Sequence, residues 1–270
     1  MGRKVAVLGA GKIGEAIARC LASSPAADSV IVTKRNISTV SFDNAIITVS
    51  DRNDEAAERS EVIIIAVKAG DARKLLKQIE PHTTGKLVIS VMAAVSISKL
   101  KRFLPNAKIV RAMPNIAASI GESITAFCAE EEMTQNDISS VKEILSTFGE
   151  TVRVKESQMD AVTALSGSGP AYIAIIIDAM ISAGLKVGLP RDISFRLVTK
   201  TLTGTANMLS SHPMHPAELR DTVTTPAGTT IAGIYELEKG AVRTAIMNAV
   251  EAATEASRSV AMRFEEELNS

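Results

Sequence analysis

The turn Gly9-Ala10-Gly11-Lys12-Ile13-Gly14 stands between an apolar run, Val5 to Leu8, and a segment with apolar residues at Ile13, Ala16, Ile17, Cys20 and Leu21. Strand, glycine-rich turn and helix together are the context that the GxGxxG dinucleotide fingerprint requires. Gly9 would permit the tight turn, Gly11 the close approach of a pyrophosphate, and Gly14 the packing of helix on strand. Free N–H groups at the helix start would meet the anion. The alternative reading is a strand-to-helix turn without a ligand. The second strand ends in Thr33-Lys34-Arg35-Asn36. A carboxylate at that point would bind the ribose hydroxyls of NAD, whereas Lys34 and Arg35 attract a 2′-phosphate. The reading is therefore NADPH, with NADH also admitted. Two solvated loop cations are the plain alternative.

Two further turns carry chemistry. Ser166-Gly167-Ser168-Gly169-Pro170 precedes an apolar stretch, and Thr224-Thr225-Pro226-Ala227-Gly228-Thr229-Thr230 precedes the helical pattern Ile231 to Glu238. Each is expected to present backbone donors and hydroxyls at a helix start, a neutral device for holding a carboxylate. A capped helix terminus without a ligand is the alternative. His212 and His215 have HxxH spacing, but no Cys or carboxylate cluster accompanies them, so no metal site is expected. Cys20 and Cys128 belong to no metal-ligand spacing and read as small buried hydrophobes.

The elements that must position these residues follow from periodicity. Short runs that are apolar throughout recur at Val30–Thr33, Ile46–Val49, Val62–Val67, Leu87–Val91 and Ile109–Met113, with helical segments between them. Such strands are expected where helices cover both faces of a parallel sheet. A strand near Ile124–Cys128, a helix from Thr134 to Phe148 capped by Thr134 and Asp137, and a strand near Thr151–Lys155 complete the sheet. The fold class is α/β, a Rossmann-type, doubly wound, mostly parallel sheet followed by an all-helical domain. From about Asp160 only helical runs remain, which divides the chain into a cofactor domain at 1–156 and a helical domain at 157–270. The stretch Ala171 to Leu185 carries Asp178 and is shorter than the ~20 residues of a membrane span, so it reads as a buried helix rather than a membrane element. Alanine at helical spacing from Ala241 to Glu267 lets helices approach closely, and several apolar faces call for a second subunit.

The 270 residues carry 30 basic and 30 acidic side chains, so no basic field is available to hold a nucleic acid. With 46% hydrophobic and 22% charged residues the composition is that of a folded, soluble protein. The amino terminus lacks the layout of a signal peptide, and a cytoplasmic protein is expected.

Three stretches resemble pyrroline-5-carboxylate reductase: Ala164-Leu-Ser-Gly-Ser-Gly-Pro-Ala-Tyr172, His215-Pro-Ala-Glu-Leu-Arg-Asp221 and Thr224 to Glu238. Arg111-Ala-Met-Pro-Asn115 is similar to that family as well. The resemblance implies an NADPH-binding Rossmann domain, a helical dimerisation domain and often a ring of dimers. It implies that Gly9 to Gly14 bind the pyrophosphate, Arg35 the adenosine phosphate and Asn53 the adenosine end. Val67, Lys68 and Ala93 would lie along the ribose and nicotinamide, and Asn115 close to the active centre. Thr225, Gly228, Thr229 and Thr230 would hold the substrate, 1-pyrroline-5-carboxylate, on its way to L-proline. Glu156 occupies the place of the family's acidic residue before the second-half glycine motif and is expected among the substrate-binding residues, with a solvated charge at the domain junction as the alternative. The chain departs from the family's usual glycine at Ala94 and Ala227 and from its usual proline at Ala69.

The chemistry so implied is hydride transfer to the C=N carbon, with Thr230 hydrogen-bonding the ring nitrogen and Lys68 lining the cofactor. Another NADPH-dependent reductase, acting on a different cyclic imine or a hydroxyacid, is the competing enzyme. The hydroxyacid enzymes generally need a lysine on the helix Ala171 to Leu185, where this chain has none. A dinucleotide sensor without turnover is the reading from a different class.

Overall fold

The computed structural model describes residues 2–212 and 214–269, with side chains through residue 262. Contacts divide the chain into two compact units, Met1–Pro170 together with Glu251–Ser270, and Ala171–Val250.

The first unit is an eight-stranded sheet of order β3-β2-β1-β4-β5-β6-β7-β8. Its strands are β1 (Arg3–Leu8), β2 (Ala27–Thr33), β3 (Ile47–Ser50), β4 (Val62–Ile65), β5 (Leu87–Ser90), β6 (Lys108–Met113), β7 (Ser123–Ala129) and β8 (Gly149–Arg153). The first six run parallel to one another, and β7 turns antiparallel against β6, pairing Arg111 with Cys128. Helices α1 (Lys12–Ala22), α2 (Asn53–Glu58), α3 (Ala69–Ile79), α4 (Ile97–Phe103) and α5 (Gln135–Leu145) connect them.

Alternation along each strand divides the core into two layers. Val5, Val7, Val30 and Ile64 face one side with Ile17 and Leu21 of α1 and Val141 and Ile144 of α5. Ala6, Leu8, Ile63 and Ile65 face the other with Ala56 of α2, Leu76 of α3 and Leu100 of α4. Both faces are dry, which is why the strands read as continuous apolar runs. The helix after Thr134 opens on the expected capping box, with Thr134 and Asp137 each bonding the other's backbone N–H.

From Met159 onward every element is helical, beginning with α6 (Met159–Val162). Two sequence expectations need correction here. Ser166–Pro170 is not a free helix start, because Thr163–Gly167 continues α6 as a π-helical turn that leads into α7 (Gly169–Lys186). The Ser168 N–H donates to the Thr163 carbonyl at 2.9 Å, the wide-turn bond of a π-bulge. Pro170 has no N–H to return to Ser166, so a regular α-turn would lose a bond at this point. Nor is α7 buried. Of its residues only Ile181 is buried, while Ile173, Ile175, Met180 and Leu185 are exposed. By length and composition alone the run Glu156–Lys186, with mean hydropathy 1.5, could cross a membrane.

The second unit continues with α8 (Arg191–Ser211), α9 (Pro216–Thr222), α10 (Thr229–Lys239) and the start of α11 (Val242–Asn269). Among its described residues only Ile181, Ser194, Val198 and Leu219 are buried. A Cβ on Gly184 of α7 would stand 2.4 Å from the Ser194 hydroxyl of α8, so the glycine lets these two helices touch.

Candidate active site

Every residue expected along a cofactor follows the carboxyl end of one of the six parallel strands. Gly9 to Gly14 follow β1, Lys34 and Arg35 follow β2, and Asn53 follows β3. Val67 and Lys68 come after β4, Ala93 after β5 and Asn115 after β6. The strand order reverses direction about β1 and β4, and ligands of open α/β sheets bind in the crevice at that point.

The glycine turn meets the requirements of the fingerprint in detail. Gly9 has φ +108°, a conformation that strains any residue with a side chain. A Cβ at Gly14 would sit 2.0 Å from the Gly9 carbonyl oxygen, so the close packing of α1 on the turn excludes one. A Cβ at Gly11 would meet nothing within 4 Å, which leaves open space on the side from which a pyrophosphate approaches. Gly11 caps α1 without a side-chain bond, so the first N–H groups of that helix are available to an anion. Ala10 is buried and donates its N–H to the Thr33 carbonyl at 2.8 Å. Lys12 is exposed, and Ile13 packs on the core. These features fit a bound dinucleotide.

A polar chain ties the turn to the second and third strands. The Gly9 N–H donates to the Thr33 hydroxyl at 3.2 Å, and that hydroxyl donates to Asn53 Oδ1 at 2.6 Å. Asn53 Nδ2 continues to Gln78 Oε1 at 3.2 Å. Thr33 was not among the expected site residues, although a threonine closing an otherwise apolar strand run is a signal that could have marked it. The two cations carry partners of their own: Lys34 pairs with Glu15 at 3.0 Å and Arg35 with Asp71. Arg35 is 83% exposed, where an ion pair is weak and readily exchanged for a phosphate.

At the other end of the crevice, Val67 stands 2.8 Å from where a Gly9 Cβ would be, and the exposed Lys68 precedes α3. Ala93 is exposed at the tip of the β5–α4 connection. Its neighbour Ala94 has φ +66°, a left-handed backbone that a residue with a side chain rarely adopts. Asn115 accepts the Ala117 N–H through Oδ1 at 3.0 Å, donates its own N–H to Ser123, and points Nδ2 toward the Ser166 hydroxyl at 3.4 Å. The structure thus brings Asn115 together with the π-helical glycine motif. Glu156 is engaged elsewhere: its Oε1 accepts the Ile97 N–H of α4 at 2.7 Å and lies 3.7 Å from the buried Arg111. Burial pushes the neighbouring Cys128 thiol up to about 11, aided by the Glu156 charge, so it is no nucleophile.

In the second unit, Thr225 to Gly228 form a tight turn closed by the Gly228 N–H to the Thr225 carbonyl at 3.1 Å. Ala227 holds φ +55° within it. Gly228 caps α10 without a side-chain bond, leaving the N–H groups of Thr229 and Thr230 without helical partners. A Cβ at Gly228 would lie 2.3 Å from the Thr225 hydroxyl, so the turn depends on glycine there. His215 is the amino-terminal cap of α9, its Nδ1 accepting the Ala217 N–H at 3.2 Å, a helix-capping use that HxxH spacing had not suggested.

Comparisons with known proteins agree with this arrangement. Residues 156–260 match the family described as pyrroline-5-carboxylate reductase dimerisation, and residues 4–94 match the one described as NADP oxidoreductase, coenzyme F420-dependent. The pyrroline-5-carboxylate reductase of Synechocystis is 38% identical over 260 residues, covering 94% of this chain and 96% of its own. That of Methanosarcina acetivorans is 38% identical over 267 residues, covering 95% and 97%. The pyrroline carboxylate reductase of Plasmodium falciparum, solved with NADP bound, superposes with a TM-score of 0.87 at 32% identity, covering 96% of this chain and 98% of that one. Similarity of this extent, running through both the cofactor crevice and the helical half, shows that the chain belongs to the pyrroline-5-carboxylate reductase family.

Proposed function

We propose that this chain reduces 1-pyrroline-5-carboxylate to L-proline with NADPH. The observation that carries the reading is the glycine turn at the sheet's switch point, with open space over Gly11 and two cations at the end of β2, in a chain of this family. When bound, NADPH would supply the hydride for the C=N carbon, and a proton reaching the ring nitrogen would complete the amine. The chain's residues bind and orient. Gly9, Ala10, Gly11, Lys12, Ile13 and Gly14 hold the pyrophosphate, Lys34 and Arg35 take the 2′-phosphate in exchange for Glu15 and Asp71, and Asn53 meets the adenosine end. Val67, Lys68, Ala93 and Asn115 line the nicotinamide end. Thr225, Gly228, Thr229 and Thr230 hold the substrate carboxylate on backbone donors, and the Thr230 hydroxyl hydrogen-bonds the ring nitrogen. Threonine is a poor acid, so its hydroxyl orients the ring nitrogen rather than protonating it.

The test is the Thr230→Ala variant with the cyclic imine. A fall in kcat of about 10-fold or more is expected for loss of such a contact, and unchanged kcat and KM would remove Thr230 from the mechanism. The exposed apolar side chains of the helical domain, taken as 157–270 beside a cofactor domain of 1–156, support a homodimer formed through that domain; a ring of such dimers is what the family resemblance implies. We infer further that it acts in the cytoplasm on small molecules, its equal numbers of basic and acidic residues offering no field for a nucleic acid.

A further inference from the structure

Arg111 lies on β6 with its side chain only 5% exposed, and neither Nε nor Nη2 has a hydrogen-bond partner among the described residues. Two carboxylates flank it: Glu156 at 3.7 Å and Asp160 at 3.9 Å. Asp160 is fixed in turn by the Ser257 hydroxyl of α11 at 2.8 Å. A guanidinium taken out of water without these charges would be costly, so it holds both carboxylates close to β6. Glu156 then spends its Oε1 on the Ile97 N–H, the first residue of α4. The chain entering α4 is the connection that bears Ala93 at its tip and Ala94 in a left-handed conformation, which a residue with a Cβ keeps only when its surroundings enforce it.

We propose that Glu156, held by the buried Arg111, is a positioning residue that fixes the amino end of α4 and with it the Ala93–Ala94 connection, rather than a group that touches substrate. This rests on the assignment of Ala93 to the nicotinamide end of the crevice. A carboxylate here suits both tasks, since it accepts an N–H at a helix amino terminus, where negative charge is favoured, and answers the guanidinium at the same time.

The experiment compares Glu156→Ala, Glu156→Gln and Arg111→Lys with the unaltered protein by amide hydrogen exchange, NADPH binding titration and steady-state kinetics. In Glu156→Ala, exchange at Ala94 to Ile97 should rise about tenfold while the NADPH Kd, set mainly by the glycine turn and the two cations, stays within about threefold. Turnover should fall about tenfold with the imine KM little changed, because a displaced nicotinamide slows the reaction without weakening substrate capture. Glu156→Gln, which keeps the acceptor for Ile97, should recover most of both losses, and Arg111→Lys should resemble a mild Glu156→Ala. Unaltered exchange at Ala94 to Ile97 would overturn the proposal, as would a lower Tm with unchanged kcat. A large rise in imine KM that Glu156→Gln fails to rescue would instead make Glu156 a direct substrate contact. If the unaltered protein does not turn over the imine at all, the functional reading fails, and the exchange result still decides the brace.

Discussion

In the sheet unit Val5, Val7, Ile64 and Ile89 are wholly buried, whereas in the helical unit Ile175, Tyr235 and Met247 are about two-thirds exposed, at 70%, 68% and 70%. Both sets come from sequence of similar apolarity, so hydrophobic content alone does not distinguish them. The first set packs between helices on both sides of a sheet, within reach of its own chain. The second lies on helices whose neighbours leave one face open, a surface that a lone soluble chain rarely carries at this size. The difference teaches that the sheet unit buries its apolar surface within one chain, while the helical unit leaves apolar faces open that the proposed homodimer would cover.

Paired substitutions put that contrast to the test. Ile64→Ala should cost about 2–5 kcal/mol and leave the mass measured by light scattering unchanged. Ile175→Asp should leave the sheet unit's packing alone but shift the mass measured by light scattering toward the monomer. An unshifted mass for Ile175→Asp would break the comparison. Next in size is Gly14→Ala, whose methyl group would stand 2.0 Å from the Gly9 carbonyl oxygen. Forced overpacking of this kind costs about 1–3 kcal/mol, and NADPH affinity should fall with it, as a binding titration would register.

Arg35→Ala sharpens the picture of the crevice itself. NADPH KM should rise about 10-fold, the size of one charge-assisted contact, and NADH KM should not move. An equal change with both cofactors would remove the 2′-phosphate role from Arg35. The smallest effects concern Ala94 and Ala227, one in each unit, both left-handed. Relief of that conformation is worth about 1 kcal/mol per residue, so Ala94→Gly and Ala227→Gly should each raise Tm slightly in thermal melts, and a lowered Tm would mean the methyl groups make contacts that outweigh the strain.

Much of the sheet unit could be read from sequence because its signals are local. The glycine turn, the apolar runs and the Thr134–Asp137 cap each lie within a few residues, and each recurs in the structure. What could not be read depends on distant partners. The bond from Ile97 to Glu156 spans 59 positions, and the antiparallel pairing of Arg111 with Cys128 leaves no trace in the periodicity of either strand. The helical unit misled for a related reason. An all-round apolar pattern at Ala171 to Leu185 means burial somewhere, and sequence does not say whether the covering atoms belong to the same chain. The π-turn before Pro170 was missed because a glycine- and serine-rich stretch ending in proline normally signals a loop or a helix start, and here it lies inside a continuous helical run.

The most direct measurement follows NADPH absorbance while 1-pyrroline-5-carboxylate is added to the purified protein, with proline quantified at the end. Saturable oxidation, with one proline formed for each NADPH consumed, is the predicted result. Binding of NADPH without its consumption, or consumption without proline, would contradict the account.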